Sequence, residues 1–505
     1  MEAEDFGNGL SGGSLTKEQE TNLRGIREIS REFHHRCGIP PADSDISTSS
    51  LVLESGHQPN FLPHSGVFRK VYLLDWFAKK LQARGADAVP LFGFADYNLS
   101  TANLLNQNRI PETNRDGFYK IGFPLGQKDR WKRFDKVPKP DSSALQKQLT
   151  AIRASYERNC KRAKLPFEPV SKNLQTLASL MEDAHRRADS FAAFNAYTIA
   201  KTCTDLLGLK VAFFAYSDVQ EGNLLIEAAQ RLATRHQDYN KACNESVRKR
   251  GLEAELGVAE EHFFPFWLHC ECGGKTTLNV RNGQVEGKCP LCGTHHMLSQ
   301  SEFTANYPLM APTAIARNII FSEGLGTTLF MSGSGGGLRY GAVANDVSDA
   351  MGFRKPITLS WSGADRYLGA ARQAALADLS AALSATRDEM ASISLSSLAE
   401  SRRKELQLLL DGAKDDKKKW QTYSGQIKNI ETQMNTAAGI FTLTPSFLDV
   451  YVNNAADIPV AWKTALESSE AQTGEFAKIK ADIKYYSDPK EEKMANDIFK
   501  GLKQT

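Results

Sequence analysis

The order of apolar segments between residues 51 and 94 constrains the fold most. An apolar run over 51–55 is followed by a loop rich in Gly, Pro and His, a helical pattern over 67–81 and a second apolar run over 88–94. A strand, a helix and a strand in this order are typical of a parallel βαβ unit, because parallel neighbours need a long crossover. The sequence therefore predicts the α/β class, with a Rossmann-like parallel sheet as its core.

Two histidines in the loop after the first strand, His57 and His64, are the candidate catalytic residues. Such a loop lies at the carboxyl end of a strand, where helix N-terminal amides favour anions and phosphates. The βαβ topology also brings the loop after the second strand to this edge. The candidate substrate-binding residues of the two loops are Gln58, Asn60, Gly66, Asp96 and Asn98. As alternatives, both histidines are ordinary polar loop residues and Asp96 caps a helix or closes an Asx-turn.

A second strand, loop and helix are predicted over residues 327–351. The loop is Ser332-Gly-Ser-Gly-Gly-Gly337, whose glycines would let a ligand approach the backbone amides. It is not a P-loop, since no Lys-Ser/Thr pair follows, and it lacks the later acidic residue of a dinucleotide fingerprint. A merely flexible turn is the alternative. The candidate substrate-binding residues here are Ser332, Gly333, Gly335 and Gly336.

Four of the eight cysteines form two close pairs, Cys270 with Cys272 and Cys289 with Cys292. A polar hairpin with an Asn-Gly turn separates the pairs. This spacing is typical of a structural zinc ribbon, in which four thiolates hold Zn²⁺ tetrahedrally. The first pair is Cys-x-Cys and not the commoner Cys-x-x-Cys, so a histidine could replace one thiolate. The histidines near enough in sequence are His269, His295 and His296.

The segment 366–436 is charged and rich in Ala and Leu, with apolar residues mostly three and four positions apart. One stripe runs from Leu368 to Leu383 and another from Leu395 to Met434 through Leu409 and Trp420, which predicts an antiparallel coiled coil with its turn at 391–397.

The predicted division of the chain is a tail and helix (1–50), a first core part with a helical insertion (51–260), the zinc ribbon (261–300), a second core part (301–365), the coiled coil (366–436) and a C-terminal segment of charged helices that packs on the core (437–505).

Composition narrows the classes of function. No apolar run reaches the roughly 20 residues that cross a bilayer, and the acidic, Gly-rich N-terminus is unlike a signal peptide, so we expect a cytoplasmic protein without a membrane partner. A net charge of +3 over 505 residues argues against a strong polyanion-binding face. Nucleic acid is therefore not supported as a partner, although tRNA stays open. A small-molecule substrate is expected, and the coiled coil could bind a partner or a second copy of the chain.

These features resemble the bacillithiol-synthesis cysteine-adding enzyme family, in which a core related to class I aminoacyl-tRNA synthetases carries a C-terminal coiled coil. Gly56-His-Gln-Pro59 looks like that family's Gly-Gln/His-Gln-Pro-Gly loop. Val89-Pro-Leu-Phe92 looks like its Val-Pro-Val-Phe strand, which leads to acidic residues, and Gly333 to Tyr340 looks like its Gly-Gly-x-x-Glu-x-x-Tyr region. The order of core and coiled coil also agrees over most of the chain.

The chain departs from that family at several points. Asn60 stands where the family has Gly, Leu338 or a neighbour stands where it has Glu, and a zinc ribbon is not a typical part of it. An inserted zinc ribbon looks like some class I synthetases, whose His-x-Gly-His loop holds ATP phosphates. His64-Ser-Gly66-Val67 is a three-quarter copy of that loop, without its second histidine. The preceding residues His57-Gln-Pro-Asn-Phe-Leu-Pro63 also look like the start of the WbqC-like family.

The resemblance implies a ligase that forms a carbon–nitrogen bond between an amino acid, with cysteine as the candidate, and a small polar acceptor. ATP is the candidate cofactor besides Zn²⁺. His57 and His64 would stabilise charge on an activated carboxylate or phosphate, and Asp96 and Asn98 would bind the acceptor. Two alternatives stay open: a catalytically altered binding or scaffold protein whose coiled coil recruits a partner, and a nucleotidyl or glycosyl-type transferase.

Overall fold

The computed structural model describes residue 10, residues 13–333 and residues 336–485. Candidate residue Gly335 lies outside the described residues, as do parts of the predicted N-terminal tail and C-terminal segment.

The strands are β1 (Leu51–His57), β2 (Ala88–Phe94), β3 (Gln107–Pro111), β4 (Phe118–Gly122), β5 (Ala212–Ala215), β6 (Phe263–His269), β7 (Lys275–Arg281), β8 (Gln284–Lys288), β9 (His295–Ser299), β10 (Met310–Pro312), β11 (Thr327–Ser332), β12 (Ile357–Ser362), β13 (Asp365–Arg366), β14 (Ala471–Gln472), β15 (Ala477–Lys480) and β16 (Ile483–Lys484).

The helices are α1 (Lys17–Cys37), α2 (Ser65–Gln82), α3 (Ser142–Ala163), α4 (Glu168–Arg187), α5 (Phe191–Lys201), α6 (Tyr216–Glu221), α7 (Ile226–Thr234), α8 (His236–Lys249), α9 (Glu253–Leu256), α10 (Phe303–Asn306), α11 (Ala314–Leu325), α12 (Gly336–Met351), α13 (Ala370–Leu383), α14 (Arg387–Ser392), α15 (Leu395–Asp411), α16 (Lys417–Thr442), α17 (Phe447–Asn454) and α18 (Ile458–Glu467).

A seven-stranded sheet of order β14-β15-β12-β11-β1-β2-β5 forms the centre of the protein. All neighbours are parallel except β14 and β15. The α/β class with a largely parallel sheet is therefore confirmed. Taken in chain order, the six parallel strands have the spatial order 3-2-1-4-5-6, which is typical of doubly wound sheets. The order reverses between β1 and β11, so the loops after these two strands border one crevice.

Apolar cores cover both faces of this sheet. Leu51 and Leu53 of β1 belong to one core and Val52 to the other, because side chains alternate along a strand. Helix α2 packs its apolar stripe, with Val71 and Leu74, into the first core. Helix α11 places Ile319 in the second core. The two helices therefore cover opposite faces of the sheet and leave its carboxyl edge open.

The cysteine-containing segment folds as a separate antiparallel sheet of order β10-β6-β7-β8-β9. Asn282 and Gly283 form the predicted turn between β7 and β8, both with positive φ, 52° and 75°. One face of β7 is anchored in the second core through Leu278. The other face carries Lys275, Thr277 and Asn279, which alternate with the buried positions.

Residues 370–442 form four helices, and the apolar stripes are distributed differently from the prediction. The helices break at 393–394, within the predicted turn at 391–397, and again at 412–416, where one continuous helix was predicted. Leu395, Leu406 and Ile430 are buried together, as an amphipathic pattern requires. Leu409 and Trp420 were expected in the buried stripe but are 44% and 46% exposed. The spacing of apolar residues in the sequence did not show which of them lie where the helices are exposed to solvent.

Candidate functional site

The loop between β1 and α2 is held by hydrogen bonds from distant parts of the chain. The side chain of Asn195 donates to the Pro59 carbonyl at 2.8 Å, and Asn108 donates to the Leu62 carbonyl at 2.6 Å. The backbone N–H of Phe447 donates to the Pro63 carbonyl at 2.8 Å. These contacts fix the loop conformation in advance of any ligand, which reduces the ordering cost of binding.

His57 lies at the carboxyl end of β1, partly exposed. Its Nδ1 lies 2.8 Å from the Gln58 carbonyl oxygen, so we assign the proton to Nδ1 and the lone pair to Nε2. Burial, followed by the positive charge of Lys70, lowers the pKa of His57 to about 3. The ring is therefore neutral near pH 7. It can accept a proton or a hydrogen bond at Nε2, but it does not supply positive charge to an anion.

His64 occupies the N-cap position of α2 without capping it through its side chain. Its Nδ1 lies 3.0 Å from the Pro445 carbonyl oxygen, and its backbone forms an antiparallel bridge with Ser446. This histidine therefore joins the loop to the start of α17. Gly66 lies in the first turn of α2 and is partly exposed, and Asn60 is buried with an unpaired side-chain oxygen.

Three cations lie at this edge of the sheet: the charges of Lys70 and Arg317 act on His57, and the charge of Arg317 also acts on Lys275. Lys70 is buried and donates from Nζ to the Gly56 carbonyl at 2.6 Å. Lys275 is buried with Nζ 5.0 Å from the ring centroid of Tyr97, and the Arg317 guanidinium lies 5.1 Å from the Tyr216 ring. No carboxylate among the described residues lies within 4.0 Å of the nitrogen atoms of these three side chains.

Burial lowers the pKa of both lysines, and the charges of Asp135 and Asp96 offset only part of this effect at Lys275. Burial, followed by the charge of Arg317, lowers the pKa of Lys70 to about 7. Burial, followed by the charges of Arg133 and Arg317, lowers the pKa of Lys275 to about 7. A buried charge without a carboxylate partner is unfavourable unless a ligand neutralises it. The three cations therefore form a site suited to a phosphate or a carboxylate.

The loop after β11 borders the same edge. Ser55 of β1 donates from its hydroxyl to the Met331 carbonyl at 2.7 Å, which joins the two strands just before their loops. Ser332 is buried, and its hydroxyl lies 3.3 Å from the Gly333 carbonyl oxygen. Helix α12 begins at Gly336, so its first N–H groups lie at this edge. Ser332, Gly333 and Gly336 therefore border the crevice opposite His57.

The side chain of Asp96 is hydrogen-bonded to Ser217, just after β5. Its carboxylate accepts hydrogen bonds from the backbone N–H of Ser217, at 3.1 Å, and from the Ser217 hydroxyl. Burial, followed by the charge of Asp135, raises the pKa of Asp96 to about 7. It lines a cleft of about 160 Å³ whose other acidic residues include Asp189 and Asp218. These hydrogen bonds direct the Asp96 carboxylate toward the end of β5, and its charge also acts on Lys275.

Asn98 and Gln58 are partly exposed. The Asn98 carbonyl accepts a hydrogen bond from the Phe134 N–H at 2.8 Å. The side chains of Asn98 and Gln58 make no hydrogen bond among the described residues. They remain available to a ligand at the sheet edge.

Tyr216 lies across the ends of β1 and β2, where both strands carry glycine. A Cβ atom at Gly93 would overlap the Tyr216 ring, and one at Gly56 would overlap its hydroxyl. The glycines therefore let the aromatic ring, with Arg317 stacked on it, approach the backbone at the crevice. The close packing of Tyr216 therefore explains why positions 56 and 93 are glycine.

We expect Gly93→Ala to lower the free energy of unfolding by about 1–3 kcal/mol, because the methyl group must displace the Tyr216 ring. Urea denaturation measures this change. Gly341→Ala is the matched control, since no atom lies within 4 Å of a Cβ built there in α12. The control should raise stability by about 0.5–1 kcal/mol, the helix preference for Ala. Equal stability of the two variants would contradict the packing role.

The four predicted thiols form one cluster. The sulfur atoms of Cys270, Cys272, Cys289 and Cys292 all lie within 4.8 Å of one another. Cys270 lies 3.6 Å from Cys292 and Cys272 lies 3.6 Å from Cys289, far beyond the roughly 2.05 Å of a disulfide. A tetrahedron with metal–sulfur bonds of about 2.3 Å has sulfur–sulfur edges near these lengths. The cluster therefore fits a four-thiolate metal site.

The three nearby histidines are not members of this cluster. His269 packs against the ring of Tyr97 with a centroid distance of 5.7 Å, and His295 lies 3.9 Å from a Glu286 carboxylate oxygen. His296 is partly buried with an unpaired Nε2. Four thiols thus provide the complete set without a histidine.

No protein-family model and no curated protein matches this chain. Among the described residues, no helix is long and apolar enough to cross a membrane.

Sequence reasoning missed the three cations. Lys70 and Arg317 each interrupt an apolar helical stretch, next to Val71 in α2 and among the apolar residues of α11. An isolated cation on a core-facing helix is a signal that could have indicated them. Lys275 follows Gly273 and Gly274 at the end of the first cysteine pair, and nothing in that local pattern indicates its role.

Proposed function

We propose that this protein is a ligase that uses ATP to join the carboxylate of an amino acid to the amine of a small polar acceptor. The observation that carries the proposal is a group of three cations, of which Lys70 and Arg317 act on His57 and Lys275 adjoins Arg317. None of the three has a carboxylate within 4.0 Å among the described residues. The reversal of strand order at β1 and β11 supports a ligand at this edge. The resemblance to the bacillithiol-synthesis cysteine-adding enzyme family implies the same class of reaction.

In this proposal the cations and the first N–H groups of α12 hold the negative charge of ATP phosphates and of the carboxylate. ATP supplies the energy that makes the carboxylate carbon electrophilic. The acceptor amine then attacks that carbon, the phosphate-bearing group leaves, and the amine loses a proton. Nε2 of His57 accepts a hydrogen bond from the amine and passes the proton on to water, because Nδ1 is engaged with the Gln58 carbonyl and the low pKa of the ring prevents it from keeping the proton.

We expect the double variant His57→Ala His64→Ala to lose about 10²–10⁴-fold in turnover, the usual contribution of general acid–base groups. The measurement is release of pyrophosphate or ADP from ATP, dependent on one amino acid and an amine acceptor.

The matched control is His35→Ala His262→Ala, which replaces two exposed histidines outside the loop between β1 and α2. The control should keep wild-type turnover. Amino-acid-independent release by the wild type, or equal rates in both double variants, would contradict the ligase proposal.

We also propose that Zn²⁺ is the metal of the four-cysteine cluster and that residues 263–299 are a zinc ribbon. The sulfur–sulfur distances of 3.6 Å, the paired turns and the antiparallel strands support this. For the helical region we propose antiparallel coiled-coil packing of α15 on α16, supported by the short 412–416 connection and an ion pair of 3.0 Å between Arg403 and Glu431.

A scaffold role is the second candidate function. It is favoured by exposed apolar side chains at the end of the α15 and α16 pair, where Leu408, Leu409 and Trp420 are 75%, 44% and 46% exposed. Exposed large apolar groups of this kind are typical of protein-binding surfaces. In this alternative the crevice binds an anion without turnover. Replacing Trp420 then abolishes the complex between this protein and its partner protein and leaves anion binding at the crevice unchanged.

A further inference from the structure

A cavity of about 450 Å³ lies beside the cationic cluster, between α8, the loop after α9, β6, β7 and the first turns of α11 and α12. This volume is within the range of small-molecule sites, about 300–1,000 Å³. Its apolar walls include Tyr239, Val247, Leu256, Phe263 and Ile315.

Three elements connect this cavity to the crevice. Thr277 and Asn279 line the cavity from the face of β7 that also carries Lys275. Thr313 lines it one helical turn before Arg317, whose backbone N–H donates to the Thr313 carbonyl at 2.7 Å. Tyr340 lines it one turn after the start of α12. A ligand in the cavity can therefore extend toward Lys275 and Arg317.

Some polar groups that line the cavity already have hydrogen-bond partners in the protein, and others do not. Asn244 is engaged on both sides of its amide, donating to the Ala259 carbonyl and accepting from the Ala259 N–H, each at 2.8 Å. The Thr313 hydroxyl lies 3.5 Å from the Tyr239 hydroxyl. The side chains of Thr277 and Asn279 on β7, toward Lys275, make no hydrogen bond among the described residues. On the loop wall the exposed carboxylate of Glu260 also lines the cavity.

The available polar groups of the cavity suit one of two kinds of ligand better than the other. A nucleobase has several ring donors and acceptors, and leaving them unpaired in an apolar pocket costs binding energy. An alkyl or aryl body needs no partner there, and its anionic head would meet Lys275 and Arg317, which lack a carboxylate within 4.0 Å among the described residues. The apolar walls favour the apolar body of such a ligand, and the cations beyond Thr277 and Thr313, away from Glu260 on the loop wall, favour an anionic head.

We propose that this cavity binds the apolar body of a carboxylic acid whose carboxylate lies at Lys275 and Arg317. That this acid is the one activated for ligation rests on the proposed function, whereas its binding does not. The substrate is then an acid with a bulky apolar body, larger than cysteine. Its carboxylate occupies the end of the cavity that opens on the crevice.

The test measures the affinities of butanoate, hexanoate, octanoate, adenosine and inorganic tripolyphosphate for the full chain by calorimetry. Each methylene buried in the cavity should tighten binding about threefold to fourfold, so octanoate should bind on the order of 100-fold more tightly than butanoate. Ala314→Trp, which fills the cavity from the first turn of α11, should remove this dependence on chain length and leave tripolyphosphate affinity unchanged. Lys275→Met should weaken every anion at least tenfold.

Val258→Trp, on the exposed loop wall, replaces Ala314→Trp should that variant fail to fold. Val460→Trp, on exposed α18 away from the cavity, is the matched control and should bind like the wild type. Octanoate binding that survives both tryptophan variants overturns the inference, as does cavity-dependent binding of adenosine without octanoate. Chain-length-dependent binding of acids without any binding of tripolyphosphate or turnover leaves the cavity assignment in place and contradicts the ligase proposal.

Discussion

The double variant Cys272→Ser Cys289→Ser is expected to lose its bound metal and the order of β6–β9 while the seven-stranded sheet stays folded. The two sulfur atoms lie 3.6 Å apart and belong to different knuckles of the four-cysteine cluster. The binding free energy of a structural zinc is folding free energy, about 10–16 kcal/mol for small zinc modules near neutral pH. Metal analysis should give one Zn²⁺ per wild-type chain and none per variant, and hydrogen exchange should show fast amides only in residues 263–299.

The same variant should bind tripolyphosphate on the order of 100-fold more weakly, because β7 carries Lys275 into the cationic cluster. Cys160→Ala is the matched control, a buried thiol of α3 outside the cluster, and should keep both metal and affinity. A metal-free variant with undiminished anion affinity would contradict the coupling between the cysteine cluster and the crevice. Uniform unfolding of the variant would show that β6–β9 are needed for the whole fold.

Lys275→Met is expected to raise stability and destroy anion binding together. Replacing a buried charge that lacks a carboxylate partner by an apolar side chain stabilises proteins by about 1–4 kcal/mol. The loss of the ammonium group should weaken tripolyphosphate by about 3 kcal/mol, on the order of 100-fold. Urea denaturation and calorimetry measure the two effects. A gain in stability that accompanies a loss of binding is the pattern of a functional site and not of a structural ion pair.

The pH dependence of this variant has a defined sign. The pKa of Lys275 is about 7 in the folded protein and 10.5 when unperturbed, so between these values the unfolded wild type binds more protons than the folded one. Its free energy of unfolding therefore rises with pH across that window, and the full cost of the buried charge is present below about pH 7. The stability gain of Lys275→Met should be largest near pH 6 and shrink toward pH 9.

A bound anion raises the pKa of Lys275, so tripolyphosphate binding at pH 8 should take up protons. Titrations in two buffers of different ionisation enthalpy measure this uptake, which should fall in Lys275→Met. Lys288→Met, an exposed lysine on β8 of the same small sheet, is the matched control and should change neither stability nor uptake by a measurable amount. A constant difference in stability from pH 6 to pH 9 would contradict the buried, unpaired state of Lys275.

Local signals in the sequence determined the class of the fold and the ligands of the metal cluster. The alternation of apolar residues over 51–94 is a property of neighbouring residues, and it predicted the strand, helix and strand. The parallel pairing of β1 with β2 follows from that order of elements. The spacing of Cys270, Cys272, Cys289 and Cys292 around an Asn-Gly turn likewise brings the thiols together through one hairpin. The four helices of 370–442 were less predictable, because exposure of Leu409 and Trp420 depends on which neighbours the helices meet.

Only the tertiary structure decided how the crevice is charged. Lys70, Lys275 and Arg317 come from three elements far apart in the chain, and no local pattern reveals that Arg317 lies between the other two charges and acts on both. The carboxylate of Asp96 accepts hydrogen bonds from Ser217 at the end of β5, a partner that the sequence did not indicate. Long-range packing decides where a side chain at a strand end finds its partners, whereas the adjacent residues decide that the strand ends there.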